Sequence, residues 1–181
     1  NRCCQHNHGQ GWPYYAENLW MATADDGLAA VLYSASAVKA RAGSGGEVTL
    51  TEETRYPFSP TIRFTVHTHS PNRFPLYLRI PGWCHTARVA VNGRTQAVTP
   101  AAGAYAKVVN TWKEGDQVTL ELPMALSVHT WQENHGSVSV DYGPLTFSLK
   151  IAERIERTYP LPTAEGDADW MKRVDTARWH E

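Results

Sequence analysis

The sequence predicts an all-β protein, an antiparallel β-sandwich or jelly roll led in by a short helix. Three observations carry this reading. Nine or ten short runs of alternating apolar and polar residues follow one another from Leu28 to Ile151. Turn residues such as Asp25-Asp26-Gly27, Asn92-Gly93 and Gly143-Pro144 separate them. No sustained helical period interrupts the series, and short strands at such spacing mean two packed sheets.

The elements follow in chain order. Between Gln10 and Ala22, Trp12, Tyr15, Leu19 and Trp20 fall roughly on one helical face. Pro13 comes early, where a first turn tolerates it. This predicts a short helix ending at the Asp25-Asp26-Gly27 turn. Leu28–Ser34 is a short apolar run, and Glu47–Arg55 alternates through Val-Thr-Leu-Thr. Thr61–Thr68 alternates through Ile62, Phe64 and Val66, and Phe74–Ile80 places Phe74, Leu76, Leu78 and Ile80 on one side. Ala87–Val91 runs into Asn92-Gly93, the strongest short hairpin signal. Tyr105–Val109 and Val118–Leu122 flank a turn at 112–116. Ser127–Trp131, Ser137–Tyr142 and Leu145–Ile151 complete the set. The inward side is expected to hold Leu76, Leu78, Ile80, Val89, Val91, Leu120, Leu122, Val138 and Val140. Beyond Glu153, Pro160, Pro162 and Glu165-Gly166-Asp167 read as a linker, and Asp169–Glu181 is too short to assign.

Composition limits the function. Of 181 residues 42% are hydrophobic, and 17 basic residues stand against 18 acidic ones, a net charge of −1. No basic field exists to attract phosphate, so nucleic acid is not an expected partner. No apolar run approaches the ~20 residues that span a bilayer, so no membrane partner is expected either. Seven Trp and eight Tyr are many for this length. Flat amphipathic rings suit sugar faces as well as cores and domain interfaces. Asn1 opens the chain without initiator Met or leader pattern, and Arg178-Trp179-His180-Glu181 stops without cap chemistry. Both ends read as cuts in a longer protein, and no compartment can be assigned.

Chemistry-bearing residues concentrate at the start. Cys3 and Cys4 are adjacent, a spacing that disfavours a mutual disulfide but lets two thiolates approach one soft metal. Two small buried residues are the plainer interpretation. Cys84 stands far off, so no disulfide framework is evident. His6 and His8 follow, but no regular zinc-finger spacing fits and crowding keeps all four residues from one ion. Lining a sugar pocket suits the histidines better. Glu17 reads as part of a solvated helix face, and Glu52-Glu53 and Asp116 fall on strands and turns without signs of burial. No phosphate loop, nucleophile elbow or His-Glu-x-x-His helix is present.

An ordered series of motifs resembles glycoside hydrolase family 127, the β-L-arabinofuranosidase type. It begins with Cys3-Cys4-x-x-Asn7 and an aromatic helix, then Asp26-Gly27-Leu28 and Leu32-Tyr33. Val48-Thr49-Leu50-Thr51, Glu53-Thr54 and Tyr56-Pro57 follow, then Leu76-x-Leu78-Arg79-Ile80-Pro81-Gly82-Trp83. Val91-Asn92-Gly93, Trp112-Lys113-x-Gly115-Asp116, Leu120-x-Leu122-Pro123-Met124 and Tyr142-Gly143-Pro144-Leu145 continue it in order. The resemblance implies that residues 1–26 are the remnant of an (α/α)₆ catalytic barrel, 27–153 a middle β-sandwich, and 154–181 a linker to a further segment. It also implies a retaining hydrolase of carbohydrate with a zinc-associated cysteine nucleophile and a glutamate general acid. The nucleophile falls on Cys3, and zinc ligation on Cys4 together with Cys3. His6, His8 and Trp12 would line the substrate. The zinc is expected only in the intact protein, because the other ligands and the acid lie upstream in that family. Gln5-His6 stand where the family commonly has prolines, which leaves the substrate sugar open. On this reading the partner is the upstream barrel, and the fragment alone is inactive. A different class remains beside it, a carbohydrate-binding or structural sandwich whose aromatics meet glycans or a second copy in a homodimer.

Overall fold

The computed structural model describes residues 2–98, 101–152, 154–157 and 177–180. Helix α1 spans Arg2–Glu17 and is followed by the strand β1 (Trp20–Ala22). The helix expected over 10–22 therefore begins and ends earlier. Asn18 closes it: its Nδ2 donates to the Tyr14 carbonyl at 2.7 Å, and its backbone N–H to the Tyr15 carbonyl. Trp20 and its neighbours then pair antiparallel with β2 (Leu28–Ala30). Pro13 lies inside α1 and not in a first turn, so the Gly9 carbonyl lacks its usual donor.

Two sheets form the sandwich. The first runs β1-β2-β6-β9, with β6 at Asn72–Arg79 and β9 at Tyr105–Trp112. The second consists of β3 (Ser36–Ala42), β4 (Gly46–Thr54), β5 (Thr61–Thr68), β7 (Arg88–Val91), β8 (Arg94–Thr95) and β10 (Gln117–Glu121). Its order is β3-β4-β5-β10-β7-β8, antiparallel throughout. The first sheet is not purely antiparallel, because β2 and β6 run parallel. After β2 the chain crosses to the other layer for three strands and returns beside β2 in the same direction. Strand β3 has no counterpart in the sequence reading, and its Val38, Ala40 and Ala42 turn toward the core while Lys39 and Arg41 face solvent. Charged side chains on such an edge strand discourage pairing with another chain.

The core lies between these layers. Leu28, Ala30, Phe74, Leu76, Leu78, Ala106 and Val108 from one sheet meet Val48, Leu50, Ile62, Phe64, Val66, Val89, Val118 and Leu120 from the other. Ile80, Leu122 and Trp112 are buried as well, and Val91 packs against the cluster half-buried. Asn92 and Gly93 take positive φ in the β7–β8 hairpin, as the tight turn requires. Gly27 has no room for a side chain, since a Cβ there would run into the Pro75 carbonyl and ring.

A third sheet, β11 (Leu126–Trp131), β12 (Ser137–Tyr142) and β13 (Leu145–Phe147), follows. Register places Leu126, Val128 and Thr130 opposite Tyr142, Val140 and Val138 on one face. The alternation expected there is present, but Val138 is 58% and Val140 38% exposed, so neither belongs to the core. Their apolar face has no covering layer among the described residues. Leu149 and Ile151 lie beyond β13 and are exposed.

Residues 1–146 form one compact unit and 147–181 another. In the second, β14 (Arg154–Arg157) pairs antiparallel with β15 (Ala177–His180). The linker residues read at Pro160, Pro162 and 165–167 lie outside the described residues.

Candidate functional site

Helix α1 arranges the cysteine end of the chain. Residues three and four apart share a helix face, so Cys4, His8, Trp12 and Tyr15 line up as one stripe. The His8 and Trp12 rings meet edge-on at 5.8 Å, and Trp12 and Tyr15 at 6.1 Å. Cys3 sits about 100° around the helix from Cys4. Asn7, one turn on, points its Nδ2 to the Cys3 Sγ at 3.4 Å. Both cysteines are exposed, and Trp12 is 59% exposed. The His6 side chain lies outside the described residues. Cys84 is buried in the sandwich, where burial raises its thiol pKa and removes it from any shared site.

The other end of α1 is anchored. The Tyr15 hydroxyl donates to the Tyr33 carbonyl at 3.3 Å, and Leu19 is buried, its carbonyl accepting from the Val31 and Leu32 N–H groups. Below this joint, Trp20 packs edge-on against Phe64, and Tyr33 against Tyr56. Glu52 lies in the same region and is only 2% exposed, contrary to the solvent position expected from sequence. It shares the inward row of β4 with Val48 and Leu50, opposite Phe64 on β5. Its Oε1 accepts the Ser34 N–H at 3.0 Å, and its Oε2 accepts the Ser36 hydroxyl at 3.4 Å. Trp20 Nε1 donates to that same hydroxyl at 3.1 Å. Both partners of Glu52 are neutral, and burial pushes its pKa up to about 8, against which the two hydrogen bonds act only in part. A raised carboxyl pKa suits a general acid. Cys3 and Tyr15, however, are twelve residues apart, ~18 Å along the axis, while a retaining pair stands about 5–5.5 Å apart. Glu52 neighbours the Tyr15 end of α1, where its charge is felt by the Tyr15 hydroxyl, and its inward hydrogen bonds mark it as a buried structural acid.

Its linkage to stability has a definite sign. The folded pKa lies above the ordinary 4.5, so the unfolded chain releases this proton first as pH rises. Stability is full below the ordinary value and is lost toward pH 8. At about 1.36 kcal/mol per pKa unit, the penalty reaches roughly 3 kcal/mol by pH 7. Glu52→Gln is expected to flatten this slope and to unfold at higher urea than the parent at pH 7–8, with the two converging near pH 4. Parallel urea curves at every pH would show that Glu52 is ionised in the fold.

Asp25 forms a second polar centre on the outer face of the first sheet. Its Oδ1 accepts the Thr23 hydroxyl at 2.6 Å, and its Oδ2 accepts Tyr77 Oη at 2.7 Å and Lys107 Nζ at 2.9 Å. These donors, Thr23 foremost, hold its carboxyl well below the usual range. Sequence reasoning missed this centre, whose members lie 52 and 82 residues apart.

Comparison with known proteins gives the family. The family model described as β-L-arabinofuranosidase, GH127 middle domain, matches residues 27–124, and the chain belongs to that family. Ara127N-Se, a GH127 β-L-arabinofuranosidase from Geobacillus stearothermophilus T6, superposes with a TM-score of 0.66 at 32% identity, over 72% of this chain and 21% of that one. A structure described as a glycoside hydrolase gives 0.63 at 32%, over 68% and 21%. A GH127 β-arabinofuranosidase gives 0.61 at 24% over 68% and 22%, a likeness of fold. No curated protein matches. The chain spans about a fifth of the length of these solved structures.

Proposed function

We propose that this chain is the sandwich and adjoining helix of a retaining glycoside hydrolase that cleaves β-L-arabinofuranosides or a related glycan, and that it is inactive by itself. The observation that carries the reading is the family match over residues 27–124, with the Cys3-Cys4 helix directly ahead of the matched region. In this reading residues 1–26 close a catalytic barrel, 27–153 are the middle domain, and 154–181 lead toward a further segment.

Cys3 is the nucleophile: its sulfur attacks the anomeric carbon as the glycosidic C–O bond breaks, the departing oxygen taking its proton from an acid elsewhere in the intact protein, and water then displaces the sulfur with retention. Asn7 Nδ2 steadies that sulfur. Trp12 and His8 lie on the Cys4 stripe, roughly on the opposite side of α1 from Cys3, so in this reading they meet a part of the glycan beyond the reacting ring, and the His6 side chain lies outside the described residues. Cys4, with Cys3, holds zinc in the intact protein. Thiolates are suitable zinc donors, but no group of three His, Cys, Asp or Glu able to hold a metal occurs among the described residues. A tetrahedral site therefore needs ligands from elsewhere in the protein. Bound zinc would keep the sulfur ionised at neutral pH and make it a better leaving group.

The test compares the 181-residue chain with the intact protein on an aryl β-L-arabinofuranoside, with zinc measured in both. Turnover and stoichiometric zinc are expected in the intact protein and neither in the chain. Turnover by the purified chain, or an intact protein without zinc at full activity, would overturn the reading.

A further inference from the structure

We propose that the outer face of the β1-β2-β6-β9 sheet carries a second saccharide-binding site, centred on Tyr105 and Asp25, that holds one neutral sugar ring of a glycan. The choice of sugar as ligand rests on the glycoside hydrolase reading. The site itself rests on geometry.

Register brings the parts together. Ala29 on β2 stands beside Tyr77 on β6, and Tyr77 opposite Lys107 on β9. Tyr105 lies two residues before Lys107, hence on the same face and diagonal to Tyr77. The turn between β1 and β2 hangs Asp25 over this surface, tied by the Thr23 N–H to the Gly27 carbonyl and the Gly27 N–H to Thr23 Oγ1. The result is a shallow groove of about 440 Å³ lined by Thr23, Ala24, Asp25, Ala29, Tyr77 and Tyr105. It is separate from the cysteine end of α1, none of whose residues line it.

Each component has a property that sugar recognition requires. Lys107 Nζ lies 5.1 Å from the Tyr77 ring centroid and so occupies that ring. Tyr105 is 45% exposed and keeps its ring available as a stacking platform above the small apolar floor of Ala29. Three donors fix the Asp25 carboxylate, so it needs little further ordering to accept a hydroxyl. A carboxylate has about four acceptor positions and an ammonium three donors, which leaves an acceptor beside a donor after the internal bonds are counted. Adjacent sugar hydroxyls match that pair, one donating to Asp25 and one accepting from Lys107. The two charges cancel locally, which favours a neutral ring over a phosphate or uronate.

The experiment is titration calorimetry on the 181-residue chain with arabinan, xylan, galactan and mannan oligosaccharides. Saturable binding to at least one of them is expected. Tyr105→Ala should weaken it by at least about tenfold and Asp25→Asn by about fivefold. Val109→Ala, on the same face but outside the groove, should leave it unchanged. Circular dichroism and urea midpoints of each variant check that the fold persists. Absence of binding to all four glycans, or binding undiminished in folded Tyr105→Ala, would overturn the proposal. Hydrolysis by the intact protein reports separately on the catalytic reading. Turnover there without binding here defeats only this site, and binding here without turnover there defeats only the hydrolase.

Discussion

In the intact protein, Cys3→Ser is expected to lower turnover of an aryl β-L-arabinofuranoside by at least about a thousandfold. Serine nearly matches cysteine in size and stands in reach of the same Asn7 amide, so α1 keeps its shape. What changes is the nucleophile. A thiol near neutral pH is readily ionised beside a cation, whereas an alcohol needs an adjacent base to attack a sugar carbon. Cys4→Ser separates the two roles: it should lower zinc content and turnover together, while Cys3→Ser should mainly remove turnover. Full activity in the folded Cys3→Ser protein would show that the sulfur is not the attacking atom.

Trp112→Ala is expected to destabilise the sandwich by about 4 kcal/mol, read as a lower urea midpoint of the 181-residue chain. Trp112 ends β9 fully buried, packs against Phe74 at 5.9 Å between ring centroids, and donates its Nε1–H to the Phe74 carbonyl at 2.9 Å. Truncation leaves a cavity and removes one of the hydrogen bonds that the Phe74 carbonyl accepts. With domain stabilities commonly about 5–15 kcal/mol, such a loss takes a large share. Trp112→Phe, which fills most of the space, should recover part of it. A loss below about 1 kcal/mol in the alanine variant would mean that the ring is not packed as described.

Most of the sandwich was legible because its strands alternate with bulky inward residues. The alternation over Thr61–Thr68 predicts the strand with its observed ends, and Asn92-Gly93 turns where its sequence requires. Ser36–Ala42 was not legible, because alanine, lysine and arginine carry little β preference and its inward residues are small. The sequence predicts helix through Trp20–Ala22 because aromatic spacing continues past Asn18, and only the cap made by that side chain reveals the stop. The inward row of Val48 and Leu50 could have exposed Glu52, since period two puts all three on one side. Its charge argued for solvent, and the burial that keeps it neutral is tertiary. The opposite error befell Val138 and Val140, where alternation identifies an apolar face but not whether a second layer exists to cover it. At the candidate site, the cysteine pair stood out through the family resemblance. The Cys4, His8, Trp12 and Tyr15 stripe was obscured by Gly9, Gly11 and Pro13, which disfavour the helix that creates it.

The apolar face of the β11-β12-β13 sheet, uncovered among the described residues, bears on how this protein should be handled at the bench. A recombinant product ending at Met124 retains β10 and the whole matched region but none of that face. One ending past Tyr142 displays Leu126, Val128, Val138 and Val140 to the buffer, a sticky surface that promotes self-association as the sample is concentrated.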